Sequence, residues 1–531
     1  MSTTTPGGPI PRTPEQDPRL GIGFDPPWKS ASRPTHRLVT IGDSLTHGFQ
    51  SGAIFNTDLS YPAIIAHELG WADRFRFPRY DGFGGLPFNI EMFLRDLEAR
   101  FGRDVDWWET VPALLHARRS MDKAEDYWER GPGSVLPSAT AINHNLGIFG
   151  WDLRDALDKT AAVCVKRLAN PTDNLLRQTV GHADDLAALR VLPAPPDGAL
   201  TQFTAAARLG EDVGQGMDPD HGIETLVVFL GANNALGSVL DLKYVLSDGE
   251  NNAFEDLDAK AKFTVWQVEH FSSELEKVAA AVHTIKARHV IWCTVPHVTI
   301  APIARGVSVK MERGSSYFPY YTRPWITDRD FDPTEDPHLT GEQAREIDAA
   351  IDGYNYAIAD VVRQARDGTA AGAGGDKKDW YLLEIVAVLD RLGSRRYIED
   401  PLARPPWWQP YPMPSALRAL DPVPNTHFLT SDGQRRIDGG VFSLDGVHPT
   451  TVGYGIIAQE IVNVMRLAGV PFFRPDGVTP RQDPVLVDFE RLVRRDTLIN
   501  HPPGNLTSGL HVLAWADETL DLLRRSLRFG I

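Results

Sequence analysis

Five short runs rich in apolar and β-branched residues recur along the chain, at 37–41, 139–143, 225–230, 290–295 and 381–389. Runs of this length, without polar alternation, suit strands buried on both faces. Between them lie stretches with helical patterning, at 61–69, 153–168, within 174–190, at 263–287 and at 342–366. Strand-helix alternation of this kind predicts an α/β fold, a mostly parallel sheet with helices on both faces and right-handed crossovers.

The remaining sequence divides around that core. Residues 1–35 are rich in Pro, Gly and Thr and read as an N-terminal arm, because prolines deny helix and few apolar residues are present to bury. The core domain is expected to span 36–475. It carries insertions near 72–137, with helices at 90–101 and 111–128, and near 301–338 and 396–440, which are dense in Pro, Trp and Tyr and read as long loops. Residues 476–531 form a C-terminal extension expected to pack on the core, with a helix at 520–527. The aromatic clusters at 317–321 and 407–411 fit either the lining of an acyl or sugar pocket or plain loop packing.

With 531 residues, 42% of them hydrophobic, the chain can bury a large core. A formal charge of -16 repels phosphate backbones and anionic lipid surfaces, which argues against nucleic acid as a partner. Arg435-Arg436 and Arg494-Arg495 read as solvated faces. Two cysteines, Cys164 and Cys293, supply neither a disulfide framework nor a zinc-ligand spacing, and both are expected to be buried thiols. The first residues lack the pattern of a secretory signal, and no stretch nears the roughly 20 apolar residues of a membrane span. The expectation is a cytoplasmic protein without membrane insertion.

Two motifs carry chemistry. Gly42-Asp43-Ser44-Leu45 places a serine just past the carboxyl end of the first strand, where open α/β sheets bind their ligands. A serine hydroxyl is a weak nucleophile and needs a base for its proton and a group to orient that base. Both stand far downstream in Ser443-Leu444-Asp445-Gly446-Val447-His448-Pro449-Thr450, where Asp445 and His448 are close enough on one loop for a local hydrogen bond. His47, His144 and His297 lie nearer the core motifs but lack a suitably placed acid, and are expected to be satisfied loop histidines.

With these residues in place the sequence resembles the GDSL/SGNH hydrolase superfamily, in the manner of bacterial lipase/esterase-like members. Ser44 matches the serine block, Gly150 in Asn145-Leu146-Gly147-Ile148-Phe149-Gly150 the glycine block, Asn233 in Gly231-Ala232-Asn233-Asn234 the asparagine block, and Asp445 and His448 the D-x-x-H block, in the family's order. Gly147 competes with Gly150 for the second block. The third block departs from the usual G-x-N-D in having Asn234 at its end. The resemblance implies a three-layer α/β/α flavodoxin-like sheet, a Ser44-His448-Asp445 triad, and an oxyanion hole from the backbone N–H of Ser44, the N–H of Gly150 and the amide of Asn233. It implies hydrolysis of a small-molecule carboxylic ester (a lipid, short-chain ester or acylated sugar) without metal or cofactor. Two alternatives stand beside it: an acyltransferase on the same triad, and a non-catalytic binding protein on the same fold.

Overall fold

The computed structural model describes residues 12–24, 32–80, 82–103, 108–136, 141–168, 182–192, 199–371, 374–504 and 506. Four strands, β1 (His36–Gly42), β2 (Ile223–Phe229), β3 (Ala287–Cys293) and β4 (Trp380–Leu383), pair side by side in that order, all parallel. The chain is therefore α/β, with a parallel central sheet.

Strand pleating sorts the side chains into two cores. Val39, Ile41, Leu226, Val228, Val290 and Trp292 join one cluster with α6 (Val268–His283) and α7 (Gly341–Asp367). Their neighbours Leu38, Val227, Phe229, Ile291 and Cys293 join the other, with α2 (Tyr61–Glu68) and α9 (Thr451–Leu467). Helices thus cover both faces, which is why the strand sequences are apolar throughout. Each fully buried large aliphatic or aromatic side chain contributes roughly 1.5–3 kcal/mol.

The second predicted strand is displaced. Residues 141–143 are not strand, and 139–140 lie outside the described residues. Beside β1 instead runs the segment 144–148, where Thr40 bridges Asn145 in parallel, Leu146 N–H donates to Thr40 O (2.9 Å) and Ile148 N–H to Gly42 O (3.0 Å). Polar His144 and Asn145 hid this pairing from a search for apolar runs. Its consequence is positional. The chain leaves β1 toward one side for 144–148 and returns on the other for β2, so the sheet order reverses at β1, directly under Ser44.

Three further expectations change. Of the run 381–389 only residues 381–383 are strand, the end of β4, and Ile385–Leu392 is a helix, α8. A continuous apolar run fits either state, and here the chain turns at Glu384 as soon as it clears the sheet. The helix expected at 263–287 is shorter, because Val265 bridges Leu246 in an extended segment that precedes α6. The helix expected at 153–168 breaks into Leu153–Asp158 and Ala161–Leu168. In the insertion, α3 (Ile90–Phe101) keeps both expected ends, Asn89 capping it by accepting from Met92 N–H (3.0 Å), and α4 (Thr110–Glu125) follows. The loop regions contain small antiparallel pairings, Arg305–Val307 with Tyr320–Thr322 and Thr430–Ser431 with Arg436–Asp438. Arg436, expected on a solvated face, is buried and donates to the Gly439 carbonyl (2.7 Å).

Residues 12–24 of the arm lie along the β4 edge. Leu382 N–H donates to Pro18 O (2.9 Å), Arg12 forms a buried pair with Glu384 (2.6 Å), and Arg366 donates to Ile22 O (2.8 Å). The helix expected at 520–527 lies outside the described residues. Cys164 and Cys293 are buried free thiols. Among the described residues no helix is long and apolar enough to cross a membrane.

Candidate active site

Ser44 opens α1 (Ser44–His47), the single turn that follows β1. Asp43 caps it, a side-chain oxygen accepting from Leu45 N–H (3.0 Å). Gly42 makes the sharp exit feasible: a Cβ there would collide with the Thr46 side chain and lie 2.7 Å from the Phe229 carbonyl oxygen. As the first residue of a helix, Ser44 has no intrahelical acceptor for its N–H.

The loop 443–450 is wound so tightly that Asp445 and His448 have little freedom. Ser443 N–H donates to His448 O (2.7 Å), Gly446 N–H donates to Ser443 O (2.9 Å), and one Asp445 oxygen accepts from the N–H groups of Val447 (2.9 Å) and His448 (2.8 Å). The loop is pinned to the turn at 51–52 that follows α1, because Ser443 Oγ accepts from Ser51 N–H (2.8 Å) and Asp445 Oδ2 from Gly52 N–H (3.0 Å). Thr450 then caps α9, whose Tyr454 hydroxyl donates to Phe49 O (2.6 Å).

These elements close a three-residue chain across the fold. His448 Nε2 lies 2.9 Å from Ser44 Oγ, and His448 Nδ1 lies 3.1 Å from Asp445 Oδ2. Burial pushes the Asp445 carboxyl up, but the His448 imidazole beside it and the N–H groups of His448 and Gly52 bring it below its ordinary value. An ionised Asp445 accepts from Nδ1–H, which leaves Nε2 as the acceptor for the Ser44 hydroxyl. The Phe49 ring packs against the imidazole with centroids 4.6 Å apart.

The glycine and asparagine blocks arrive at the same end of the sheet. Gly150 has φ +78°, and among the described residues its N–H has no acceptor. Gly147 is glycine for another reason: a Cβ would lie 2.5 Å from His47 N, and its own N–H already donates to Asn145 Oδ1 (2.9 Å). Asn233 heads α5 (Asn233–Asp241), and its amide donates one hydrogen to Trp151 O (2.8 Å), joining the two blocks and leaving the second hydrogen. Asn234 is fully buried and accepts from Leu153 N–H (3.4 Å), so it too ties the asparagine block to the glycine block.

Sequence reasoning missed the role of His47. Phe149 N–H donates to His47 Nδ1 (3.2 Å), so the proton sits on Nε2, 2.8 Å from the Tyr80 hydroxyl, which donates to Ala187 O (3.1 Å). Burial lowers the imidazole to about 3, keeping it neutral and able to accept. His47 thereby anchors the loop that presents Gly150. Only its place three residues after Ser44 hinted at this.

An apolar cavity of about 90 Å³ reaches Ser44 and His448, walled by residues such as Leu236, Val298, Ile385, Val388 and Ile457. His297 also lines it and, contrary to expectation, has acids at hand: Nδ1 is 3.0 Å from Asp390 and Nε2 3.4 Å from Asp352. Burial pushes this imidazole down, but Asp390, Asp348 and Asp352 carry it well above its ordinary value, so both nitrogens hold protons and neither can accept one from serine. Neither aromatic cluster lines this cavity. Trp408 instead donates to Asp390 O (2.9 Å) and Tyr411 to Glu460 (2.8 Å). Comparison with protein-family models, with curated proteins and with solved structures finds no match to this chain.

Proposed function

We propose that this protein is a serine hydrolase that cleaves carboxylic esters through an acyl-Ser44 intermediate, on a flavodoxin-like fold of the GDSL/SGNH hydrolase type. The observation that carries the reading is the continuous Ser44-His448-Asp445 hydrogen-bond chain, made by residues 404 positions apart and set at the carboxyl end of a parallel strand.

In the first half-reaction the Ser44 hydroxyl attacks the ester carbonyl as His448 Nε2 takes its proton, and Asp445 stabilises the imidazolium. The former carbonyl oxygen carries the negative charge. The N–H of Ser44, the N–H of Gly150 and the second amide hydrogen of Asn233 are the donors proposed for it, each worth about 3–4 kcal/mol in comparable sites. His448 then protonates the leaving alcohol, and water, deprotonated by the same nitrogen, releases the acid. The apolar cavity beside Ser44 supports an acyl chain as the buried part of the substrate.

A series of p-nitrophenyl esters of rising acyl length tests the proposal. Turnover should be measurable for the wild type, and Ser44→Ala should lower kcat by roughly 10⁴–10⁶-fold. Equal turnover in wild type and Ser44→Ala would overturn it.

A further inference from the structure

A second cavity, of about 320 Å³, shares its walls with the one at Ser44. Pro296, Val298 and Ala301 line the Ser44 cavity, while Thr299, Ile300, Pro302 and Ala304 line this one. Its volume falls within the range of small-molecule sites, roughly 300–1,000 Å³. Its character is the opposite of its neighbour's, for Arg305, Arg395, Arg396, His427, Glu399 and Asp438 all contribute to the lining.

Most of these charges are matched within the protein. Arg396 is buried against Asp348, Arg305 pairs with Asp328 (2.5 Å), and His427 bridges Asp438 (2.7 Å) and Glu399 (2.6 Å). The bridge holds the imidazole above its ordinary value, the hydrogen bond to Glu399 leading. The imidazolium leaves Glu399 most of its acceptor capacity, while Asp438, which also accepts from the Asn425 amide (2.8 Å) and Gly439 N–H (2.9 Å), keeps less.

Arg395 differs. It is half-buried, packs its guanidinium 4.4 Å from the Phe318 ring centroid, and makes one hydrogen bond, to the Gly306 carbonyl (2.6 Å). Among the described residues no carboxylate comes within 4 Å of it; Glu399 and Asp328 act on its charge only from farther away, and Arg305 opposes them. A guanidinium has five donors in a planar fork that suits carboxylate or phosphate, and removing one from bulk water without a counter-ion is unfavourable. The ring and the carbonyl hold this fork in place on the cavity wall, with most of its donors unspent.

We infer that this cavity binds a small hydroxylated anion, with a carboxylate or phosphate group on Arg395 and hydroxyl groups donating to Glu399 and Asp438. The site is separate from the serine chemistry, and its ligand is not the ester. It adjoins the triad loop all the same. Ile303 N–H, between the lining residues Pro302 and Ala304, donates to the carbonyl of Gly446 (3.0 Å), between Asp445 and His448, and Phe428, which lines the cavity, packs against the same glycine.

Isothermal titration calorimetry on the full chain tests the inference without reference to ester turnover. The probes are glycerol 3-phosphate, glycerate, inorganic phosphate and glycerol. Saturable one-to-one binding is expected for at least one of the first two, and which of them binds tells phosphate from carboxylate. Inorganic phosphate and glycerol should each bind at least about tenfold more weakly, having lost one set of hydrogen bonds. Arg395→Gln should weaken the tighter ligand at least about tenfold, and Arg395→Lys by less, since charge remains while the fork is lost. On the wild type, that ligand should protect Arg395 from phenylglyoxal, read by peptide mass spectrometry. No saturable binding by either hydroxylated anion, glycerol binding as well as the anions, affinity unchanged in Arg395→Gln, or Arg395 labelled equally with and without ligand would each overturn the assignment.

Discussion

At the residue scale, the positions that matter most around Ser44 are those that hold other groups still. His47 is the clearest. A His47→Phe substitution keeps an aromatic ring of similar size but removes the acceptor for Phe149 N–H and the donor to Tyr80. If the Gly150 N–H serves the transition state, kcat should fall roughly 10- to 100-fold with KM nearly unchanged, because interactions made only in the transition state appear in kcat. Steady-state kinetics on the preferred p-nitrophenyl ester read both. Asp43 gives a pH signature. It is fully buried, one of its oxygens has no hydrogen-bond partner, and burial raises its carboxyl to about 7. The folded state therefore holds a proton that the unfolded chain, with a carboxyl near 4, has released, so stability declines as pH rises from about 4 to about 7. Buried Asp496, raised to about 6, acts in the same direction. Asp43→Asn keeps an oxygen for Leu45 N–H and removes one titration, so thermal melts across that range should show a smaller loss of stability than in the wild type.

At the scale of elements, helix α9 ties the triad loop to the sheet. Ile461 on it is wholly buried in the cluster with α2 and Ile291, and Ile461→Ala should destabilise the fold by about 2–5 kcal/mol by urea unfolding. The success of sequence reading also varied by element. α3 and α7 were legible because an apolar stripe coincides with a cap: Thr340 Oγ1 accepts from Gln343 N–H (3.2 Å) at the start of α7, and Gly368 at φ +82° ends it. β2 and β3 were legible because their short runs are dense in β-branched and aromatic residues, Thr225, Val227, Val228 and Phe229 in one and Val290, Ile291 and Trp292 in the other. α8 was misread because Ile385, Val386 and Val388 are as apolar as a strand, and only the third dimension shows the chain turning over the sheet end. Ser44, Asp445 and His448 could be named because each sits in a short, local motif. The anchoring by His47 and the arginine-lined cavity could not, since they join residues that only tertiary packing brings together.

At the scale of the molecule, both edges of the four-stranded sheet are occupied, β1 by the segment 144–148 and β4 by the arm. Unpaired edges invite pairing between chains, and covering them is a common defence. Deleting residues 1–24 would expose Leu382 N–H and strip Glu384 of its bonds from Arg12 and Glu15 N–H. Static light scattering should then show more concentration-dependent association than for the full chain, together with a lower melting temperature.

The hydrogen bond between Ser44 and His448 spans 404 positions. A ribosome adding roughly 5–20 residues per second needs about 20–80 s to travel from one to the other. Throughout that interval the emerging polypeptide carries Ser44 without the His448 imidazole beside it, so a fragment that stops short of Ser443 cannot close the Ser44-His448-Asp445 hydrogen-bond chain.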